Sequence, residues 1–309
     1  MEDTDMQKKR QMLYSLLGRL PGRTNPVHCS FLAQRDCGSY LLEELLLRVE
    51  TAEGEPDCQP IPAWFARPKG EGPFPAILYN HSHGGRYEAG RKELLELAPY
   101  MQCPGYAQAL TSKGYAVLCI DQWCFGDRSG RTESAVFKEM LWKGEYLWGR
   151  MVYDNLRALD YLCSRPDVDD SRIGTLGMSM GSTMAWWCAA LDERIRVCVD
   201  LCCLTDYDAL IRDEGLDRHG IYYYIPGLML HFTASEINSL IAPRSHLGTV
   251  GLYDPLTPQD GVDRIEREVT EAYAEWNAAE NFRVLRYPVE HQESPRMRQD
   301  ILHFLEKHL

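Results

Sequence analysis

The stretch Arg172-Ile173-Gly174-Thr175-Leu176-Gly177-Met178-Ser179-Met180-Gly181-Ser182 constrains what this chain can fold into more than any other. Residues 173–176 are apolar and β-prone, a serine then sits between two glycines, and residues 183–191 are small and apolar, as a buried helix requires. The pattern predicts a buried strand, a sharp turn carrying Ser179, and a helix starting near Met180. So tight a turn strains the serine backbone, and a side chain at Gly177 or Gly181 would crowd its neighbours. The turn also leaves the Met180 amide at a helix N-terminus, facing negative charge that develops beside the serine oxygen. Glycine and serine are common, so G-x-S-x-G alone says little; its weight comes from the strand before and the helix after.

The rest of the chain supplies a sheet for that turn to sit on. Met12, Leu13, Leu16, Leu17 and Leu20 recur at helical spacing and predict an amphipathic N-terminal helix ending near Pro21-Gly22. That helix packs on the domain, or contributes to a pocket rim or to a contact in a homo-oligomer. Strands follow over 40–49 and 61–67, with Glu53-Gly54-Glu55-Pro56-Asp57 as hairpin-loop composition between them. Pro75-Ala76-Ile77-Leu78-Tyr79-Asn80 is a short apolar strand running into His81-Ser82-His83-Gly84-Gly85, and residues 116–121 form a near-continuous apolar strand of the doubly buried kind. Helical patterns over 106–113 and 148–164 separate these strands. Strand and helix alternating at this spacing predict a right-handed parallel βαβ series. Further strands over 196–202, 247–254 and 282–287 and helices over 262–277 and 298–308 complete it. Residues 205–243 break the regularity, being rich in Tyr, His, Asp and Pro. An insertion of that length is expected to act as a cap over a pocket. The fold class is therefore α/β, a mostly parallel central sheet flanked by helices. Residues 1–309 make one domain, with a helical extension over 1–37 and the insertion over 205–243.

Composition narrows the setting. The 33 Lys and Arg against 45 Asp and Glu give a net charge of −12, which argues against a nucleic-acid or anionic-membrane surface. No apolar run approaches the ~20 residues of a membrane span, and the acidic start Met1-Glu2-Asp3-Thr4-Asp5 lacks the order of a signal peptide. Eleven scattered cysteines with no C-x-x-C pair fit free thiols in a reducing cytoplasm rather than a disulfide frame or zinc site.

Reactive groups of a parallel sheet gather beyond the carboxyl ends of its strands. Ser179, Asp254 and His291 each fall just past a predicted strand, in that order. The glycine-rich loop after the 75–80 strand is where a second oxyanion amide is expected, at Ser82 or His83. His81-x-His83 also opens some dinuclear metal sites, but Gly85 and Arg86 stand where the following Asp-His pair would be needed. Asp200, Asp206 and Asp208 compete with Asp254 for the acid role, and His219 and His246 with His291. Trp123, His219, Tyr222 and Tyr223 are candidates for the pocket wall.

The order Ser, Asp, His over this series of elements resembles the α/β-hydrolase fold from about Tyr40 onward. Arg165-Pro166-Asp167-Val168-Asp169 before the turn, Leu191-Asp192-Glu193-Arg194-Ile195 after its helix, and Ile241-Ala242-Pro243-Arg244 before the Asp254 strand resemble the dienelactone-hydrolase and acetyl-xylan-esterase-like branch. The nucleophile is serine rather than the cysteine of dienelactone hydrolases proper, so their substrate is not carried over. The resemblance implies a serine hydrolase of small carboxylic esters with no metal or organic cofactor. In that scheme Ser179 attacks the acyl carbon, His291 moves the proton and Asp254 orients His291, while the Met180 amide and one from Ser82 or His83 hold the oxyanion. A peptidase or amidase of the same fold and a catalytically silent binding scaffold are the alternatives.

Overall fold

The computed structural model describes residues 3–309. Its frame is a nine-stranded sheet with strand order β1-β2-β3-β5-β4-β6-β7-β8-β9. The strands are β1 Val27–Asp36, β2 Tyr40–Val49, β3 Ile61–Pro68, β4 Phe74–Asn80, β5 Ala116–Ile120, β6 Val168–Met178, β7 Ile195–Leu201, β8 Ser245–Gly251 and β9 Phe282–Tyr287. Pairing is antiparallel from β1 through β3 to β5 and parallel from β5 across to β9. Helices cover both faces of the central parallel strands, and β5, Ala116–Ile120, is apolar and buried at every position.

Helices α2 Tyr106–Thr111 and α9 Pro295–His308 cover one face, packing Tyr106, Leu110, Met297, Ile301 and Leu305 on Tyr79, Val117, Leu176 and Val199. The other face carries α1 Asp3–Ser15, α4 Leu147–Ser164, α5 Met180–Leu191 and α8 Gln259–Ala274, with Trp148, Trp186 and Trp187 among the fully buried side chains. Each large aromatic buried there removes 150–250 Å² from water, so this layer supplies much of the drive for closure. Three further helices, α3 Glu133–Trp142, α6 Tyr207–Arg212 and α7 Ala234–Ser239, lie in the connections. No helix among the described residues is long and apolar enough to cross a membrane, and the eleven cysteines are free thiols.

The N-terminal region departs from the sequence expectation. α1 stops at Ser15 because Gly18, at φ +83°, turns the chain into a bridge with Glu145, and a Cβ there would strike the Tyr146 ring at 2.9 Å. Residues 27–36, expected within a helical extension, form the edge strand β1 on β2. β1 is exposed along most of its length and so carries no apolar alternation to read. The 205–243 segment, irregular as its composition indicates, holds α6, α7 and three short 3-10 turns. Its Tyr222 and Tyr223 are buried against Trp148 of α4, with ring centroids 5.4 and 6.3 Å away.

Candidate active site

β6 ends at Met178 and α5 begins at Met180, so Ser179 alone makes the turn, at φ 58° and ψ −117°. A β-carbon-bearing residue in that region is strained, and the surroundings must hold it there. They do so through the Ser179 N–H, which donates to the Leu201 carbonyl of β7 at 2.9 Å. Both flanking glycines are required by close approach. A Cβ on Gly177 would lie 2.3 Å from the Gly181 carbonyl oxygen, and one on Gly181 would lie 1.9 Å from the Asn80 carbonyl oxygen of β4.

Asp254 sits in the turn after β8, and His291 in the loop after β9. The two segments are drawn together by the Tyr253 N–H, which donates to the Val289 carbonyl at 3.0 Å, and by Gly251, where a Cβ would meet the Val289 and Glu290 carbonyls at 2.6 and 2.5 Å. His291 Nδ1–H donates to Asp254 Oδ2 at 2.7 Å, and Ser179 Oγ–H donates to His291 Nε2 at 2.8 Å. The carboxylate is an acceptor only, so it fixes the proton on Nδ1 and leaves Nε2 free to accept. The Asp254 side chain is completely buried, and its Oδ1 accepts the Leu256 N–H at 2.9 Å; the His291 side chain is 22% exposed. The loop beyond His291 is anchored by Glu293. Its buried carboxylate accepts from Tyr106 Oη at 2.6 Å, the Gln102 N–H at 2.8 Å and Arg298 at 2.6 and 2.7 Å.

The competing acids are occupied elsewhere. Asp206 caps α6 by accepting the Ala209 N–H at 2.8 Å and meets Arg264 at 3.2 Å; Asp208 also faces Arg264. Asp200 is buried against His246 at 2.7 Å, and burial raises its carboxyl above the usual range. That pairing also removes His246 from contention.

β4 and β6 pair with Asn80 opposite Gly177, which lays the 81–85 loop along the turn. Among the described residues, no protein acceptor engages the Met180 N–H or the His83 N–H. The Ser82 N–H, expected as an oxyanion donor, instead donates to the buried Glu93 carboxylate at 2.9 Å. Ser82 is therefore withdrawn from that role, since a buried carboxylate holds its amide away from the serine. The two loop histidines do not converge on a metal site: His81 Nε2 accepts the Gln122 N–H at 3.1 Å and its Nδ1–H donates to the Ser82 carbonyl at 2.9 Å. His83 stacks on Tyr222 with centroids 5.6 Å apart, its Nδ1 accepts the Gly85 N–H at 3.1 Å, and its Nε2 faces Glu133 at 3.5 Å.

Of the expected pocket residues, His219 comes nearest the acid turn. Its Nε2–H donates to the Leu256 carbonyl at 3.2 Å and its ring stacks on Tyr223 at 5.2 Å. Burial, with the neighbouring His291 adding to it, lowers the His219 pKa. Tyr222 and Tyr223 support His83 and His219 from behind. Trp123 is elsewhere: it is clasped by Arg128 and Arg150 at 4.6 and 5.4 Å and lines a separate cavity of about 540 Å³ with Arg91, Arg131 and Val136. Sequence reading missed Glu93 and Glu293, which carry no motif and are recognised only by the loops they hold.

Residues 51–217 match the family model of acetyl xylan esterase (AXE1). The chain is 51% identical over 303 residues to the Bacillus subtilis (strain 168) protein named "Putative hydrolase YtaP", covering 98% of this chain and 99% of that one. Among solved structures, a "putative acetyl xylan esterase" from Bacteroides fragilis NCTC 9343 superposes with a TM-score of 0.74 at 18% identity, over 98% of this chain and 87% of that one. A glucuronoyl esterase from Solibacter usitatus superposes at 0.70 and 16% identity, over 99% and 93%.

Proposed function

The chain belongs to the acetyl xylan esterase (AXE1) family and is a carboxylic ester hydrolase; from that premise we propose that it works through Ser179, His291 and Asp254 by way of an acyl-enzyme. The observation that carries this reading is the unbroken chain of hydrogen bonds from Ser179 Oγ through the imidazole to the buried Asp254, at 2.8 and 2.7 Å.

In the first half-reaction Ser179 Oγ bonds to the acyl carbon while its proton passes to His291 Nε2. The Asp254 carboxylate stabilises the imidazolium that results. The carbonyl oxygen, now an oxyanion, accepts from the Met180 and His83 N–H groups, whose lack of protein partners supports this assignment. Collapse breaks the bond to the alcohol, which leaves with the proton from His291. Water then repeats the sequence on the acyl-enzyme, giving up a proton to Nε2 and releasing the acid and free Ser179.

The acyl group is short and the alcohol sugar-like. Support comes from the family's own name and from the aromatic packing of Tyr222 and Tyr223 behind His83 and His219, which leaves that wall little freedom to open for a long chain. The substrate is thus a small ester, and the 205–243 segment caps it. The test is steady-state turnover on p-nitrophenyl esters from acetyl to octanoyl, with p-nitroacetanilide alongside. The reading predicts the highest turnover on acetate, a decline as the chain lengthens, and little cleavage of the anilide. Octanoate hydrolysed as fast as acetate would overturn the short-acyl assignment, and comparable anilide cleavage would point to an amidase.

A further inference from the structure

The oxyanion loop is gripped at one residue, Ser82, through the peptides on both sides of it. The Ser82 N–H donates to Glu93 Oε1 at 2.9 Å, and the Ser82 hydroxyl donates to Oε2 of the same carboxylate. Tyr79 Oη also donates to Oε1, at 3.0 Å, and Tyr100 Oη lies 2.6 Å from Ser82 Oγ and 3.5 Å from Oε2. On the other side the Ser82 carbonyl accepts from His81. The Gln122 backbone nitrogen can only donate, so His81 Nε2 is the acceptor there and Nδ1 carries the proton that reaches Ser82.

The carbonyl of Ser82 and the N–H of His83 belong to one planar trans peptide and point in opposite directions. Pinning the carbonyl on His81 therefore aims the His83 N–H the other way, and pinning the preceding N–H on Glu93 stops the Ser82 residue from rotating. The geometry points to Glu93 as a positioning residue for ester hydrolysis: its buried carboxylate locks Ser82 so that the His83 N–H stays aimed at the oxyanion, an inference that rests on the serine-esterase reading above.

A carboxylate suits the task because every group around it is a donor, and a carboxylate is the one side chain that accepts at both ends. Glu93 is 5% exposed, and its short 3-10 turn Gly90–Leu94 is itself held by Asp121, which accepts the Arg91 N–H at 2.6 Å. Tyr100 links the same network to the histidine loop, since its carbonyl accepts the Glu293 N–H at 2.8 Å while its Oη lies 2.6 Å from Ser82 Oγ. One buried cluster thus supports both the oxyanion amide and the segment that carries His291.

The experiment compares purified wild type, Glu93→Ala, Glu93→Gln and a Ser179→Ala blank on p-nitrophenyl acetate, with phenylboronic acid as a tetrahedral probe and melting curves for each. Losing the aim of one oxyanion donor lowers rate by about 10²–10³-fold, so Glu93→Ala is expected to lose about that much kcat with KM within about threefold. Phenylboronic acid affinity should fall in parallel. Glu93→Gln keeps an oxygen for the Ser82 N–H and should recover most of the loss, with kcat about three- to tenfold below wild type at unchanged KM. A folded Glu93→Ala with kcat within about threefold of wild type, or a loss confined to KM with boronate affinity intact, overturns the proposal. If Glu93→Ala does not fold, Glu93→Gln decides, and an unchanged kcat there overturns it. Wild type inactive on the ester would instead remove the esterase reading itself.

Discussion

Gly181→Ala is the most demanding test of how the turn is built. An alanine Cβ at 181 would lie 1.9 Å from the Asn80 carbonyl oxygen, 2.6 Å from its carbon and 2.9 Å from the His81 carbonyl oxygen. All three obstacles are backbone, and Asn80 is fixed by its pairing opposite Gly177, so no side chain can swing aside. Relief requires the first turn of α5 to move away from β4 by about 1 Å, and a displacement of that size at a reacting group costs on the order of 100-fold in rate. Ser179 and the Met180 amide ride on that turn, while His83 lies in the loop after β4, so the two proposed oxyanion donors move apart, and the proposed nucleophile moves with one of them. Overpacking of this kind also destabilises a fold by about 1–3 kcal/mol. The assay is kcat on p-nitrophenyl acetate, measured well below the melting temperature of both proteins, together with the melting curves. A Gly181→Ala protein with wild-type kcat and an unshifted melt would refute the packing argument.

Two further predictions concern charge. Asp254→Asn should keep the fold but lower kcat by about 10⁴-fold, because an amide no longer demands the proton on Nδ1; near-normal turnover in stopped-flow or steady-state assays would return the acid role to Asp206 or a neighbour. His81 and His219 are both held below the ordinary histidine pKa, chiefly by burial, so the unfolded chain binds protons before the folded one does. Their contribution to stability is complete above about pH 6.5, declines as the pH falls through that value and levels off below the folded-state values. Melting temperature should drop from pH 7.5 to 5.5, with a shallower drop in His219→Gln; equal slopes in the two proteins would contradict the assignment.

The glycines of the Ser179 turn were legible because the approach they permit is local, between β6, α5 and the adjacent β4. The parallel strands were legible because burial on both faces leaves continuous apolar runs such as 116–120. β1 was not, since a strand exposed on both faces has no pattern to show. Ser82 was misread as an oxyanion donor for a different reason. The direction of its N–H is set by Glu93, eleven residues on, and that of its carbonyl by His81, whose own tautomer is set by Gln122. Asp254 was preferred over Asp206 by its place after the 247–254 strand, although both follow strands; what the sequence could not show is their surroundings, His291 for the first and the α6 cap with Arg264 for the second. Trp123 looked like a pocket residue by composition, yet two arginines claim its ring.

The central claim is that Ser179 is the nucleophile, and covalent labelling tests it most directly. Wild type and Ser179→Ala would be incubated with a fluorophosphonate, digested, and the adduct located by mass spectrometry. The account predicts one adduct, on the oxygen of Ser179, in wild type and none in Ser179→Ala, with both proteins melting at nearly the same temperature. Wild type left unlabelled while folded, or an adduct that persists in Ser179→Ala, would contradict it.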